Sequence, residues 1–125
     1  MPEVAGVHIQ GWGQHDQLGP PKSQPRHLLR KITHKFGACP LSSSIIDSPS
    51  KDSLHALKHA VSRSIRRRTD ILRWLGNRQE WDLYYAVFSE SHTAGHLLWP
   101  RTLTGVPVAD PFGADTGIES LREVY

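Results

Sequence analysis

The strongest apolar pattern in this chain lies between residues 49 and 75. Large aliphatic side chains recur there at intervals of three, four or seven positions, which is the spacing of one face of a helix. A Ser-Pro pair that can start a helix precedes this stretch, and Gly76-Asn77 ends it. The pattern therefore predicts a helix over residues 49–75. Its apolar stripe consists of Leu54, Leu57, Val61, Ile65, Leu72 and Leu75.

A second, shorter helix is predicted over residues 25–36. Pro25 can occupy its first position, and Gly37 is suited to the position that follows its last turn. The apolar residues of this segment also recur at helical spacing, and they are Leu28, Leu29, Ile32 and Phe36.

Two further segments have the composition of β-strands. Residues 4–9 are a short apolar-rich run that leads into a Gly-Trp-Gly turn. Residues 82–89 contain the run LYYAVF, whose aromatic and β-branched side chains are typical of a strand that is buried on both faces. The order of strands and helices predicts an α/β fold with few parallel strands and flanking helices.

Three further segments between residue 90 and the C-terminus have predicted structures. Residues 90–99 are predicted to form a turn that carries candidate metal ligands, residues 101–116 a loop, and residues 117–125 the first part of a last helix. Two strands are too few for a stable sheet that is covered by helices on both faces. Residues 1–125 are therefore expected to form a single incomplete α/β segment of something larger.

Length and cysteine content narrow the class of protein. The 125 residues are enough for one small domain, and the single cysteine, Cys39, excludes an internal disulfide. We interpret Cys39 as a small buried apolar residue. The N-terminus lacks the basic and apolar regions of a signal peptide, and no apolar run approaches the roughly 20 residues that span a bilayer. These features lead us to expect a cytoplasmic protein without a membrane segment.

Positive charge is concentrated in the long predicted helix, although the net charge of the chain is only +3. The cluster consists of Arg63, Arg66, Arg67 and Arg68. Such a cluster can attract phosphate backbones, or it can be the solvated face of a helix. No aromatic residues alternate with these arginines, and no known nucleic-acid-binding motif is visible. A small basic nucleic-acid-binding protein, or a non-catalytic interaction protein, is therefore kept only as an alternative.

His92 and His96 follow directly after the second predicted strand. If a helix begins near Ser91, the two histidines are one turn apart on one face, close enough to share a metal ion. Zinc suits such a pair, but a catalytic zinc site needs at least a third protein ligand. The alternative is an ordinary helix N-terminus that is capped by Ser91, with both histidines as polar contacts.

Two other polar clusters are weaker candidates. His55 and His59 have the same spacing, but Asp52 is their only acidic neighbour and the surrounding lysines and arginines repel a cation. This context favours a solvated helix face over a metal site. His15 and Asp16, in a predicted loop, could contact a ligand or orient another residue, although a structural role is favoured for them too.

The segment from Trp81 to Trp99 resembles a motif of the type I phosphodiesterase/nucleotide pyrophosphatase branch of the alkaline phosphatase superfamily. In that motif a strand is followed by an Asp/His-x-x-x-His turn and an aromatic residue. Here the matching residues read VFSESHTAGH, with Trp99 as the aromatic residue. Residues 7–16 and 120–125 are similar to neighbouring parts of the family more loosely.

The resemblance implies a partial alkaline-phosphatase-like fold and a hydrolase with two metal ions, commonly zinc, in which a Thr or Ser nucleophile attacks phosphorus. His92 and His96 match two ligands of one metal, although the first position is most often Asp in the family. Glu90 and Ser91 would support these ligands or cap the helix. The family's nucleophile and its second metal site have no counterpart in this chain.

The sequence therefore predicts a fragment of a metal-dependent phosphoric ester hydrolase, inactive alone. Its full-length parent would act on a phosphate ester, and this chain would need the missing segments or a partner to fold. Whether this polypeptide is itself an enzyme stays open at this stage.

Overall fold

A computed structural model describes residues 5–13, 19–41 and 51–98, with the backbone alone described at 51–54 and 96–98. These residues form a mixed α and β structure with a two-stranded sheet and three helices. In chain order the elements are β1 (His8–Gln10), β2 (Lys22–Gln24), α1 (Leu28–Phe36), α2 (Lys51–Gly76) and α3 (Glu90–Leu98). The predicted loop over 101–116 and the predicted helix over 117–125 lie outside this part of the chain.

The sheet differs from the predicted parallel arrangement, because β1 and β2 pair antiparallel with Ile9 opposite Ser23. The expected strand over residues 4–9 is also shorter and shifted, since β1 begins at His8. The sequence analysis missed β2, because its residues Lys-Ser-Gln carry no apolar alternation. Ser23 instead holds this region through its buried hydroxyl, which donates to the Pro25 carbonyl at 2.9 Å and accepts the Leu29 N–H at 2.9 Å.

Helices α1 and α2 lie close to their predicted positions. Helix α2 ends at Gly76, one residue after the predicted end, and the Asn77 N–H donates to the Arg73 carbonyl to complete the last turn. Helix α1 begins at Leu28 and not at residue 25, because the preceding residues form a turn in which the Leu28 N–H donates to the Pro25 carbonyl. Helical periodicity in the sequence therefore located the helices, whereas side-chain hydrogen bonds set where α1 begins.

Helix α2 carries the core of the described structure, in two apolar clusters along its length. Its first half contacts α3 and the segment before α2, in a cluster of Leu41, Leu57, Ala60, Val61 and Ala94. Its second half contacts α1 and the segment after β1, in a cluster of Trp12, Leu28, Ile32, Ile71 and Leu75. Among the described residues, no helix is both long and apolar enough to cross a bilayer.

The predicted strand over residues 82–89 is not formed. The backbone between α2 and α3 has neither helical nor strand pairing, and the run LYYAVF is largely exposed. Leu83 and Tyr85 are 80% and 81% exposed, whereas Tyr84 and Phe88, which face α2, are 43% and 41% exposed. A strand requires a neighbouring backbone to satisfy its N–H and C=O groups. In the described part of the chain, no strand pairs with this segment.

Candidate functional site

Helix α3 places the two predicted metal ligands on one helix. It begins at Glu90, so His92 lies in its first turn and His96 follows one turn later. The Thr93 N–H and hydroxyl both donate to the Ser89 carbonyl, at 3.0 and 3.1 Å, which makes Ser89 the residue that opens the helix. Ser91, for which a capping role was considered, lies in the first turn of the helix.

The described residues do not supply a complete set of protein ligands for a metal ion at this site. The His92 side chain is exposed, and the position of His96 is known from the helix backbone. Across residues 5–13, 19–41 and 51–98, no group of three or more His, Cys, Asp or Glu side chains could hold a metal ion. Catalytic zinc takes three protein ligands, and the described residues do not supply such a set.

Glu90 is the residue that fixes α3 to the rest of the structure. Its side chain is fully buried, and Oε1 accepts a hydrogen bond from the Ser64 hydroxyl at 2.7 Å and another from Arg68 Nε at 2.9 Å. Its second oxygen, Oε2, is also buried and has no hydrogen-bond partner among the described residues. The carboxylate thus acts as a buried anchor two positions before His92.

Arg68 links this anchor to two further segments, the one after β1 and the one before α3. Its Nη1 donates to the Val87 carbonyl at 3.1 Å, and its Nη2 donates to the Trp12 carbonyl at 3.0 Å and to the Ser89 hydroxyl at 3.4 Å. The guanidinium carbon also lies 5.1 Å from the centre of the Trp12 ring and 5.8 Å from that of Phe88. One side chain on α2 therefore holds the segment after β1, the segment before α3 and α3 itself.

The sequence contained a signal for this network that the sequence analysis missed. Ser64 and Arg68 occupy positions of the inward stripe of α2, which runs at alternating spacings of four and three residues. The full stripe is Leu57, Val61, Ser64, Arg68, Ile71 and Leu75, and all its members except Arg68 are buried. Polar residues at core positions of an amphipathic helix indicate buried hydrogen bonds.

The arginine cluster is divided between the interior and the surface. Arg67 donates to the Ala38 carbonyl and lies against Gly37. Arg68 bonds to Glu90 and to the Trp12 carbonyl. Arg63 and Arg66 are exposed on the other side of α2. Half of the cluster therefore has a structural role, which weakens the interpretation that it is a phosphate-binding face.

A cavity of about 360 Å³ separates β1 from the segment between α2 and α3. Its walls are largely apolar and include Ile9, Trp12 and Leu75, together with Trp81 from the far side. The Nδ1 atom of His8, a further residue of the wall, is buried without a hydrogen-bond partner in the described part of the chain. The exposed run LYYAVF and the sheet are thus neighbours across a gap, not paired strands.

Tyr84 ties this run to α2, and we expect Tyr84→Phe to lower the free energy of unfolding by about 1 kcal/mol. Its hydroxyl donates to the Leu72 carbonyl at 2.7 Å, and burial raises the pKa of this hydroxyl above 10.0. The unfolded chain therefore releases the proton first, so this contribution is present below pH 10 and is lost as the pH rises through the raised pKa.

Urea unfolding of the wild type and of Tyr84→Phe, at neutral pH and above pH 10, measures this difference. Tyr85→Phe is the matched control, because the neighbouring side chain is 81% exposed and its hydroxyl is expected to contribute little. An equal effect of the two substitutions at neutral pH would show that the Tyr84 hydrogen bond adds nothing to stability.

The remaining predicted site residues are His15 and Asp16, and they lie outside the described residues, as does Trp99. Comparison of the chain with protein families, with curated proteins and with solved structures gives no match. The geometry around α3 is accordingly the basis on which a function can be argued.

Proposed function

We propose that this chain is part of a metal-dependent phosphoric ester hydrolase, in which α3 carries half of one metal site. The observation that supports this most directly is the placement of His92 and His96 one turn apart on a helix that follows the apolar run LYYAVF. Histidines at this spacing lie on one face of a helix and can share one metal ion. The resemblance of residues 81–99 to the phosphodiesterase motif points to the same two residues.

The buried Glu90 adds a physical reason for this assignment. A carboxylate that bonds to Ser64 and Arg68 fixes the first turn of α3, where His92 lies. Metal sites depend on such supporting contacts, because they limit the movement of the residues that hold the ion. The His92 side chain is exposed on this anchored turn.

The exposed run before α3 supports the view that the site is completed by further structure. Leu83, Tyr85 and Val87 alternate along this run and present 58% or more of their surfaces to solvent. A face of this kind is typical of a strand that a larger sheet would cover. In the proposed protein, neighbouring strands would cover this face and bring the remaining metal ligands to α3.

The proposed chemistry divides between this chain and groups that it would need from elsewhere. His92 and His96 would hold the ion as neutral imidazoles, with zinc as the best-suited metal. When bound, a divalent ion supplies Lewis acidity to a phosphate ester oxygen. The two histidines supply no nucleophile, so we expect this chain to bind metal and to leave phosphate esters intact.

Zinc titration of the full chain by calorimetry tests the proposed site. His92→Ala and His96→Ala are each expected to abolish one equivalent of zinc uptake, because each removes one of two imidazoles. His34→Ala is the control, since His34 is an exposed histidine on α1. Uptake that is unchanged in both α3 variants would contradict the proposal. Hydrolysis of bis(p-nitrophenyl) phosphate by the wild-type chain would contradict the expectation that it leaves phosphate esters intact.

A further inference from the structure

His55 and His59 form a second histidine pair, on the surface of α2. Both side chains are exposed, and their ring centres are 5.0 Å apart. They lie on the side of α2 that faces away from the buried stripe through Leu57 and Val61. The pair is therefore separate from Glu90, Arg68 and the proposed site on α3.

The ring separation agrees with the geometry of two imidazoles on one metal ion. A metal–nitrogen bond of about 2.1 Å puts each ring centre about 3.2 Å from the metal. Two such rings are about 4.5 Å apart for a right angle at the metal and about 5.2 Å apart for a tetrahedral angle. The observed 5.0 Å falls between these values, so the helix backbone needs no change to accept an ion.

The relative orientation of the two rings is the part that must adjust. The ring planes meet at 89°, edge to face. The terminal torsion of a histidine is broad, and both rings are exposed, so rotation of one ring can direct both nitrogens at a common point. The nearby cations Lys58 and Arg63 lower the affinity for any cation, which favours metals that bind imidazole strongly.

We propose that His55 and His59 form a two-imidazole site for a divalent transition metal ion. Water completes the coordination, because the site is open to solvent. A bound ion links two successive turns of α2 and stabilises this half of the helix, since it binds the folded chain in preference to the unfolded one. This site does not depend on the proposed function, because it shares no residue with α3.

Calorimetric titration of the full chain with Ni²⁺ tests this site, and Ni²⁺ is used because Cu²⁺ would oxidise the thiol of Cys39. His55→Gln and His59→Gln are each expected to weaken one binding event by about 100-fold, which is the loss expected when two linked contacts become one. Glutamine is a good helix former at an exposed position, so circular dichroism should show unchanged helix content.

Three further variants separate this site from the one on α3. The pair His92→Ala/His96→Ala should keep the Ni²⁺ event that His55→Gln/His59→Gln loses, and His34→Gln should keep it as well. Loss of the event in the α3 pair alone would overturn the inference and leave the proposed function intact. Full retention in His55→Gln/His59→Gln would also overturn it.

Discussion

Replacing Arg68 with alanine is expected to lower the free energy of unfolding by about 3–5 kcal/mol, because it leaves a buried carboxylate without its cation. Glu90 is fully buried, and the Arg68 side chain that pairs with it at 2.9 Å is 15% exposed. The substitution also leaves the Trp12 and Val87 carbonyls without the hydrogen bonds that Arg68 donates. Urea unfolding followed by circular dichroism measures the loss.

Arg66→Ala is the matched control for this prediction. Arg66 belongs to the same cluster and the same helix but is exposed, so its replacement should change stability by no more than about 0.5 kcal/mol. Arg68→Met combined with Glu90→Leu should recover part of the loss, because it removes both buried charges together. Equal effects of Arg68→Ala and Arg66→Ala would refute the role given to Arg68.

Gly13→Ala is expected to have the second largest effect, about 2.5–5 kcal/mol. Gly13 has φ of +75°, a conformation that costs a residue with a side chain about 1–2 kcal/mol. A β-carbon there would lie 2.7 Å from Arg68 Nη2 and 3.1 Å from Cys39 Sγ. The Arg68 guanidinium must therefore move. Its hydrogen bond from Nη2 to the Trp12 carbonyl is then weakened or lost, which costs a further 1.5–3 kcal/mol or so.

Gly6→Ala isolates the backbone part of this cost. Gly6 also has a positive φ, +118°, but an added β-carbon would have no neighbour within 4 Å. Its replacement should therefore cost about 1–3 kcal/mol, the range for a residue held in a sparsely populated backbone conformation. If Gly13→Ala is no more destabilising than Gly6→Ala in urea unfolding, the close packing of Arg68 against Gly13 does not contribute to stability.

The parts of the fold that follow helical periodicity were predictable from the sequence. The stripe through Leu57, Val61 and Leu75 located α2, and Leu28 and Ile32 located α1 on the same principle. These residues are buried because a helix can bury one face against a neighbour whatever the remaining topology is. The i, i+4 relation of His92 and His96 was predictable for the same reason, since it depends only on local helix geometry.

The parts that depend on pairing between distant segments were not predictable in this way. The composition of LYYAVF indicates a strand, but strand formation also needs a neighbouring backbone, which composition cannot supply. The pairing of Lys22–Gln24 with β1 has no apolar pattern behind it. The contact between Arg68 and Glu90 joins positions 22 residues apart, and only the inward position of Arg68 on α2 hinted at it.

The exposed run LYYAVF favours self-association of the protein at high concentration. Six uncharged residues of high β-propensity, without glycine or proline, have the composition of segments that stack into cross-β assemblies. The acidic side chains of Glu80 and Asp82 are exposed just before the run and repel identical copies of themselves. These two carboxylates act as gatekeepers, and replacing them with Gln and Asn would remove the charge that keeps such segments apart.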